Sequence, residues 1–206
     1  MKKILITGGN GYIGSCLYYF LKKKYNILSI DKRIKYSFVS NLNLLNLKKT
    51  NLLLKDTKPD LIVHLAAQSL VDETINKNKY YLNNIIATKN LIYCMKKNDL
   101  NNLIFSSTAA VYKFSNQKLS EKNQINPKST YAKTKLECEK IIKNSKLNSI
   151  ILRFFNVCSS LKLKNKIIGE LHNPETHLIP TIVYKNLNRK KVYIYGKNYK
   201  TKDGTC

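Results

Sequence analysis

A tyrosine and a lysine one helical turn apart could carry an acid–base reaction in this 206-residue chain. Tyr131 and Lys135 stand at positions i and i+4 of a segment with helical periodicity, so their side chains share one helix face. An ammonium near a phenol favours the phenolate and lowers the phenol's pKa from about 10. The pair therefore predicts a tyrosine that acts as a base near neutral pH.

The spacing alone does not single out this pair, because the chain is rich in both residue types. The same spacing recurs at Tyr18/Lys22, Tyr19/Lys23, Tyr93/Lys97 and Tyr193/Lys197. Position separates the candidates. Only Tyr131 follows a strand-like run ending in hydroxyl side chains, Ser106-Ser107-Thr108, and a loop that closes with Pro127. The helix that carries Tyr131 is expected to run past the edge of the sheet where the Ser106-Ser107-Thr108 strand ends.

A glycine cluster near the N-terminus predicts a phosphate-binding turn. Four of the seven glycines lie in Gly8-Gly9-Asn10-Gly11-Tyr12-Ile13-Gly14, directly after the apolar run Ile4-Leu5-Ile6. A helix-like segment with large apolar side chains follows. This order places a pyrophosphate on the helix N-terminus, where free N–H groups and the helix dipole stabilise anions. It favours dinucleotide binding, with a plain tight turn as the alternative.

An acidic residue at the end of the second strand-like run points to the kind of dinucleotide. Asp31 could accept hydrogen bonds from the adenosine ribose hydroxyls, and it would repel a 2′-phosphate, which favours NAD over NADP. Lys32 and Arg33 follow directly and could offset that repulsion. A surface aspartate that merely ends a strand is the alternative.

Apolar runs alternate with helical patterns, which predicts a doubly wound parallel sheet. Strands are predicted at Lys3–Thr7, Ile27–Ile30, Phe38–Leu42, Leu61–Ala66, Leu103–Ser107 and Ile150–Phe155. Helices are predicted at Tyr12–Lys24, Leu47–Lys55, Lys79–Lys97 and Thr130–Asn144. Runs without polar alternation fit strands covered on both faces. Ligands of such sheets bind beyond the carboxyl ends of the strands, so each strand end is a candidate site.

The pattern changes after Asn156. The later residues show one helical segment, Pro180–Leu187, one strand-like run, Val192–Tyr195, and loops that include the solvated Lys162–Lys166. We expect residues 1–158 to form a Rossmann domain with the cofactor and catalytic residues. We expect residues 159–206 to form part of a smaller substrate lobe.

Composition restricts the class of protein. The net charge of +25 comes almost entirely from lysine, and base-reading arginines are limited to Arg33, Arg153 and Arg189. The lysines are scattered rather than clustered, which argues against specific nucleic-acid binding. The three histidines lack metal-ligand spacing, and His64 fits a packed core position, so no metal is expected.

Five cysteines without a C-x-x-C pair fit reduced thiols. No apolar run approaches the roughly 20 residues of a membrane span, and the N-terminus lacks a signal-peptide core. We therefore expect a cytoplasmic protein without membrane contact.

The ordered set of motifs resembles the extended short-chain dehydrogenase/reductases, and among them the UDP-glucose 4-epimerase (UDP-galactose 4-epimerase) family. Besides the glycine loop, Asp31 and Tyr131-x-x-x-Lys135, the matching segments run in order along the chain. They are His64–Ala67, Tyr80–Asn84, Ser107–Tyr112, Leu152–Asn156, His172–Pro180 and Tyr195–Thr205.

The resemblance implies reversible inversion at the sugar C4 of UDP-glucose and UDP-galactose with NAD as cofactor. Tyr131 would take the proton of the 4-hydroxyl, and Thr108 would hydrogen-bond the reacting oxygen. Lys135 would hold the nicotinamide ribose and lower the Tyr131 pKa. A homodimer through the Lys79–Lys97 and Thr130–Asn144 helices is also implied.

The resemblance carries two further sets of residues onto this chain. The NAD-binding set is Gly8, Gly11, Tyr12, Ile13, Gly14, Asp31, Asn43, Ala66, Ala67, Asn84, Tyr131, Lys135 and Phe155. The substrate-binding set is Thr108, Tyr131, Asn156, His177, Leu178, Ile194 and Tyr195.

The chain departs from the family pattern in several places. Ala109 and Ala110 replace the Asp-Glu of related dehydratases, which favours epimerisation. Asn43 and Ser69 replace an Asp near adenine and a Lys near the pyrophosphate. The family continues for roughly a third more chain, so we expect a truncated protein that binds UDP-sugars poorly. Another nucleotide-sugar epimerase or dehydratase, and an inactive remnant that binds only NAD, are the alternatives.

Overall fold

The computed structural model describes residues 1–70, 74–115, 117–170, 177–194, 196, 198–199 and 204. Within those residues, parallel strands form a six-stranded sheet in the order β3-β2-β1-β4-β5-β6. This order is that of a doubly wound dinucleotide-binding sheet. The predicted fold class is confirmed.

The sheet strands are β1 (Lys3–Thr7), β2 (Asn26–Asp31), β3 (Ser40–Asn41), β4 (Leu61–His64), β5 (Asn102–Thr108) and β6 (Asn148–Phe154). An antiparallel pair follows, β7 (Ser160–Leu163) with β8 (Lys166–Gly169). The helices are α1 (Tyr12–Leu21), α2 (Leu47–Thr57), α3 (Lys77–Tyr80), α4 (Ala87–Lys97), α5 (Thr130–Asn144) and α6 (Leu178–Leu187). A π-helical turn, Tyr81–Ile86, joins α3 to α4, and a 3₁₀ turn, Ala109–Val111, follows β5.

Both faces of the sheet carry apolar side chains, as the unalternated runs predicted. The larger core lies between one face and α2, α4 and α5, and its fully buried members include Leu5, Leu54, Ile62, Leu91, Leu103 and Ile142. A smaller cluster on the opposite face packs Ile4, Ile6 and Val63 against α1. This packing fixes the carboxyl ends of β1, β4 and β5 beside one another.

Two local predictions for the segment after Asn156 were wrong. The predicted loop Lys162–Lys166 lies within the β7–β8 pair, since alternating Leu161 and Leu163 lead into a two-residue turn that suits an antiparallel pair. The predicted strand Val192–Tyr195 is absent over residues 192–194, the part of it that the structure describes. Those side chains are exposed, and a strand without a neighbouring ladder has no partner for its backbone groups.

None of the helices in the described segments is long and apolar enough to cross a membrane.

Candidate active site

The proposed proton carrier lies where β5 ends and α5 begins. Ser129 caps α5 by accepting a hydrogen bond from the Ala132 N–H at 3.2 Å, so Tyr131 is in the first helical turn. Thr108, the last residue of β5, lies close enough to the Tyr131 phenol to influence its pKa. Thr108 is itself buried and accepts a bond from the Ala110 N–H at 3.2 Å. The start of α5 therefore places the Tyr131 side chain beside the end of β5.

Lys135 lies one turn further along α5 and points into the sheet. Its ammonium donates to the Ser106 carbonyl oxygen at 2.6 Å and lies 4.7 Å from the centroid of the Phe105 ring. The distance to the centroid of the Tyr131 ring is 6.0 Å. Lys135 is only 3% exposed. The structure thus brings Thr108, Tyr131 and Lys135 together, with the lysine bonded to the strand end.

The pKa values differ from the sequence-based expectation. Burial raises the pKa of Tyr131 to about 12, although the hydrogen bond with Thr108 works in the opposite direction. Burial also lowers the pKa of Lys135 to about 8, against the influence of Cys138 and Glu139. The expectation that Lys135 lowers the Tyr131 pKa is wrong for the protein without ligands. Residue spacing shows which groups are near each other, but it does not show how much water they lose.

A buried ion pair that the sequence analysis did not single out lies behind this group. Glu139 accepts two bonds from Arg153, Nε at 2.9 Å and Nη2 at 2.6 Å, and a further bond from the Ser107 hydroxyl. Burial alone would raise the pKa of Glu139, but these hydrogen bonds outweigh it and hold the pKa below its usual value. Glu139 is one helical turn after Lys135 on the same buried face, and this spacing is the sequence signal that could have revealed it.

The glycine loop has the geometry of a close approach. Gly8 has φ +76°, and a Cβ there would lie 2.7 Å from the Ala66 backbone nitrogen. A Cβ on Gly14 would collide with the Gly8 carbonyl oxygen. No side chain caps α1 at Gly11, which leaves the N–H groups of its first turn available to an anion. These residues fit a pyrophosphate.

A cleft of about 150 Å³ opens beside this loop at the carboxyl edge of the sheet. The predicted cofactor residues that line it are Gly8, Gly11, Asp31, Asn43, Ala66 and Ala67. The Asp31 carboxylate accepts bonds from the backbone N–H groups of Asn10 and Arg33, both at 3.2 Å. Asn43 accepts a bond from the Leu45 N–H at 3.0 Å. The structure thus brings six of the thirteen predicted NAD-binding residues into one cleft.

Asn84 connects this cleft to the catalytic group. It lies in the π-helical turn, a feature often found at functional sites, and it is 2% exposed. Its Oδ1 accepts from the Gln68 N–H at 2.7 Å, and its Nδ2 donates to the Thr134 hydroxyl at 3.0 Å. Asn84 therefore joins the loop after β4 to α5.

Three further members of the NAD set, Tyr12, Ile13 and Phe155, do not line the cleft. The Tyr12 hydroxyl donates to the Ser159 carbonyl oxygen at 2.8 Å, and Ile13 is half-buried beside it. Phe155 is 67% exposed.

His64, the expected core histidine, is buried between the hydroxyls of Thr7 and Thr88. Burial lowers the pKa of His64 to about 3, which keeps the ring neutral.

The predicted substrate residues beyond β6 are not assembled in the same way. Asn156 is exposed after β6, Leu178 is 73% exposed at the start of α6, and Ile194 is 66% exposed. His177 Nδ1 lies 3.5 Å from a Glu170 carboxylate oxygen. Tyr195 lies outside the described residues. Among the described residues, no three metal-ligating side chains cluster.

Comparisons with known proteins agree with this fold. The family model described as the NAD dependent epimerase/dehydratase family matches residues 4–205. The chain is 35% identical to the UDP-glucose 4-epimerase of Halalkalibacterium halodurans over 218 residues, covering 98% of this chain and 65% of that relative. The chain thus spans about two thirds of the relative's length.

Two solved structures are similar along the whole chain. The UDP-glucose 4-epimerase from Brucella ovis in complex with NAD has a TM-score of 0.90 at 30% identity, covering 100% of this chain and 67% of that one. The UDP-Glc/GlcNAc 4-epimerase from Campylobacter jejuni has a TM-score of 0.79 at 33% identity, covering 100% and 69%. On these matches the chain belongs to the NAD dependent epimerase/dehydratase family.

Proposed function

We propose that this chain carries the NAD-binding and proton-transfer parts of a cytoplasmic UDP-sugar 4-epimerase, which interconverts UDP-glucose and UDP-galactose. The observation that carries the proposal is the grouping of Thr108, Tyr131 and the buried Lys135, which is bonded to the Ser106 carbonyl oxygen, at the same sheet edge as the glycine-loop cleft. In this proposal residues 1–158 form the cofactor and catalytic domain, and residues 159–206 belong to the sugar-nucleotide lobe.

The glycine loop and the cleft support NAD as the cofactor. The uncapped start of α1 would take the pyrophosphate, and Asp31 would take the adenosine ribose. Lys135, buried beside Tyr131, would hold the nicotinamide ribose. When bound, NAD supplies a reversible hydride acceptor for the sugar C4.

Tyr131 would move the proton of the sugar 4-hydroxyl. In the protein without ligands its pKa of about 12 means that the phenol keeps its proton at neutral pH. Proton uptake therefore needs added positive charge near the phenol, and the Lys135 ammonium is the cation already nearest on this helix face. Thr108 lies beside the phenol and can donate a hydrogen bond to the sugar oxygen.

The residues after Thr108 favour epimerisation over elimination. Loss of water from a sugar needs an additional acid and base, and the 3₁₀ turn at that place presents Ala109 and Ala110. Tyr131 is then the proton carrier of the site, which suits an oxidation followed by a reduction at the same carbon.

The UDP-sugar residues and the homodimer rest on the family resemblance. Asn156, His177 and Leu178 would contact the diphosphate, and Ile194 with Tyr195 would contact the uracil. The exposed apolar side chains Tyr81, Leu82 and Tyr93 on the α3–α4 segment support a dimer through α3–α4 and α5. Light scattering should give twice the mass of one chain, and the mass of a single chain would contradict the dimer.

The test is conversion of UDP-galactose in the presence of saturating NAD, followed by NMR of the sugar anomeric protons. We expect UDP-glucose to form without net accumulation of NADH. Absence of conversion while calorimetry shows NAD binding would favour the alternative of a remnant that binds only NAD. Parallel assays with UDP-N-acetylglucosamine, dTDP-glucose and a GDP-sugar define the substrate class, and elimination products would favour a dehydratase.

A further inference from the structure

The adenosine end of the cleft carries more positive charge than the single acid there can balance. The loop after β2 reads Asp31-Lys32-Arg33-Ile34-Lys35, and Asp31 and Lys32 both line the cleft. In a cleft of this fold, an acid at the end of β2 repels a 2′-phosphate on the ribose, whereas a nearby arginine accommodates it. Here one acid and several cations occupy the same loop.

Asn10 of the glycine loop holds this cationic loop in place. Its Oδ1 accepts bonds from the backbone N–H groups of Lys35 at 3.1 Å and Tyr36 at 3.3 Å. Its Nδ2 donates to the Arg33 carbonyl oxygen. The loop that carries the cations is thereby fastened to the loop proposed to bind the pyrophosphate, so their separation is set by the fold.

Lys32 reaches across the mouth of the cleft. Its ammonium donates to Asn83 Oδ1 at 2.9 Å, and Asn83 Nδ2 in turn donates to the Lys79 carbonyl oxygen at 2.8 Å. Partial burial lowers the pKa of Lys32, the charges of Arg33 and Lys79 lower it further, and Asp31 opposes them. Lys32 therefore lies near two other cations and one carboxylate, and the neighbouring cations disfavour positive charge at Lys32.

Asp31 is a weaker barrier to a phosphate than its position suggests. Each of its carboxylate oxygens already accepts a backbone N–H, from Asn10 and from Arg33. These bonds disperse its negative charge toward the protein. A phosphate beside Lys32 would be attracted by Lys32 and its neighbouring cations as well as repelled by this one acid.

We propose that the adenosine end of the cleft accepts a phosphorylated ribose, so that this protein binds NADP as well as NAD, with Lys32 as the residue that determines this specificity. The inference rests on the proposed dinucleotide function of the cleft and deepens it. It predicts a dissociation constant for NADP within about tenfold of that for NAD, a difference of at most ~1.4 kcal/mol.

The experiment is calorimetric titration of the protein with NAD and with NADP at low and at moderate salt. Wild-type protein should bind both, and salt should weaken NADP binding more because the added phosphate interacts through charge. Lys32→Ala should weaken NADP binding about tenfold or more and NAD binding less than threefold. Lys32→Gln, which keeps a chain that can reach Asn83, should behave like Lys32→Ala.

Lys23→Ala is the matched control. Lys23 is exposed just after α1, at the opposite edge of the sheet, so its removal lowers the net charge equally without touching the cleft. Lys23→Ala should leave the ratio of the NADP and NAD dissociation constants unchanged. Tight NAD binding with NADP at least a hundredfold weaker would overturn the inference while leaving the proposed function intact. Equal weakening of both ligands by Lys32→Ala would also overturn it, and binding of neither would remove the proposed function itself.

Discussion

Two regions of the molecule differ in how tightly their residues are packed. The first region carries the residues proposed for NAD binding and proton transfer, and the second carries the residues proposed to bind the UDP-sugar. Lys135 and Asn84 are buried and each has a hydrogen bond to a neighbouring element, and Tyr131 is half-buried beside Lys135. No residue of α6 is buried, and Leu178 and Ile194 are mostly exposed. The first region takes its geometry from a sheet covered on both faces. The second combines a β7–β8 hairpin, in which Ile168 is buried, with a helix α6 that has no buried residue.

The largest expected effect is on turnover, in the first region. Tyr131→Phe removes the proposed proton carrier and should lower kcat by about 10²–10⁴-fold, while NAD affinity measured by calorimetry changes little. Tyr93→Phe is the matched control, since Tyr93 also has a lysine four residues later but is 55% exposed on α4. It should keep wild-type turnover. A Tyr131→Phe protein with more than a tenth of wild-type turnover would show that this buried phenol is not the proton carrier.

The next effect is on stability. Arg153→Ala leaves the Glu139 carboxylate buried without its partner and should lower the free energy of unfolding by about 3–5 kcal/mol. Urea denaturation at pH 7 measures it. The exposed Lys140–Glu137 pair offers the contrast, and Lys140→Ala should change stability by less than about 1 kcal/mol. Similar losses for the two variants would mean that the pair behind the active site is no more buried in solution than a surface pair.

A third effect is the dependence of stability on pH. Burial lowers the pKa of Lys135 to about 8, so between pH 8 and 10 the unfolded chain binds a proton that the native protein has released. Stability should therefore rise with pH in this window by about 2 kcal/mol more in wild type than in Lys135→Met. The raised pKa of Tyr131 acts only above about pH 10 and with the opposite sign.

Urea denaturation of both proteins at pH 8, 9 and 10 measures this difference, and titration of the many surface lysines cancels between them. Parallel pH profiles for wild type and Lys135→Met would show that water reaches the Lys135 ammonium. The first region would then be less tightly packed than the structure indicates.

The sequence predicted the first region well because its signals are local. The helical pattern after the loop that closes with Pro127 predicts a helix at Thr130–Asn144, the same bounds as α5 in the structure. The uninterrupted apolar runs predict buried parallel strands, and the glycine spacing predicts the close approach at Gly8. Each of these features depends on residues that are near one another along the chain.

The features that the sequence did not predict depend on contacts between residues that are far apart along the chain. The raised pKa of Tyr131 comes from burial under several elements, and the Glu139–Arg153 pair joins a helix to a strand. The π-helical turn around Asn84 was predicted as part of one regular helix, because an i to i+5 turn leaves no distinct periodicity in so short a segment. The β7–β8 hairpin was read as a loop from its lysines, although its apolar side chains alternate.

The smallest expected effect concerns the second region. Leu178→Ala should change the free energy of unfolding by less than about 0.5 kcal/mol, because Leu178 is 73% exposed. Leu91→Ala, at a position with no exposure on α4, should cost about 2–5 kcal/mol in the same urea experiment. A cost above about 1 kcal/mol for Leu178→Ala would mean that α6 packs against the rest of the chain in solution. Urea denaturation of both variants with UDP present separates packing from binding. A ligand that binds only the native state adds more stability the more tightly it binds. If UDP stabilises wild type but not Leu178→Ala, while Leu91→Ala keeps the full increment, the start of α6 takes part in holding the nucleotide.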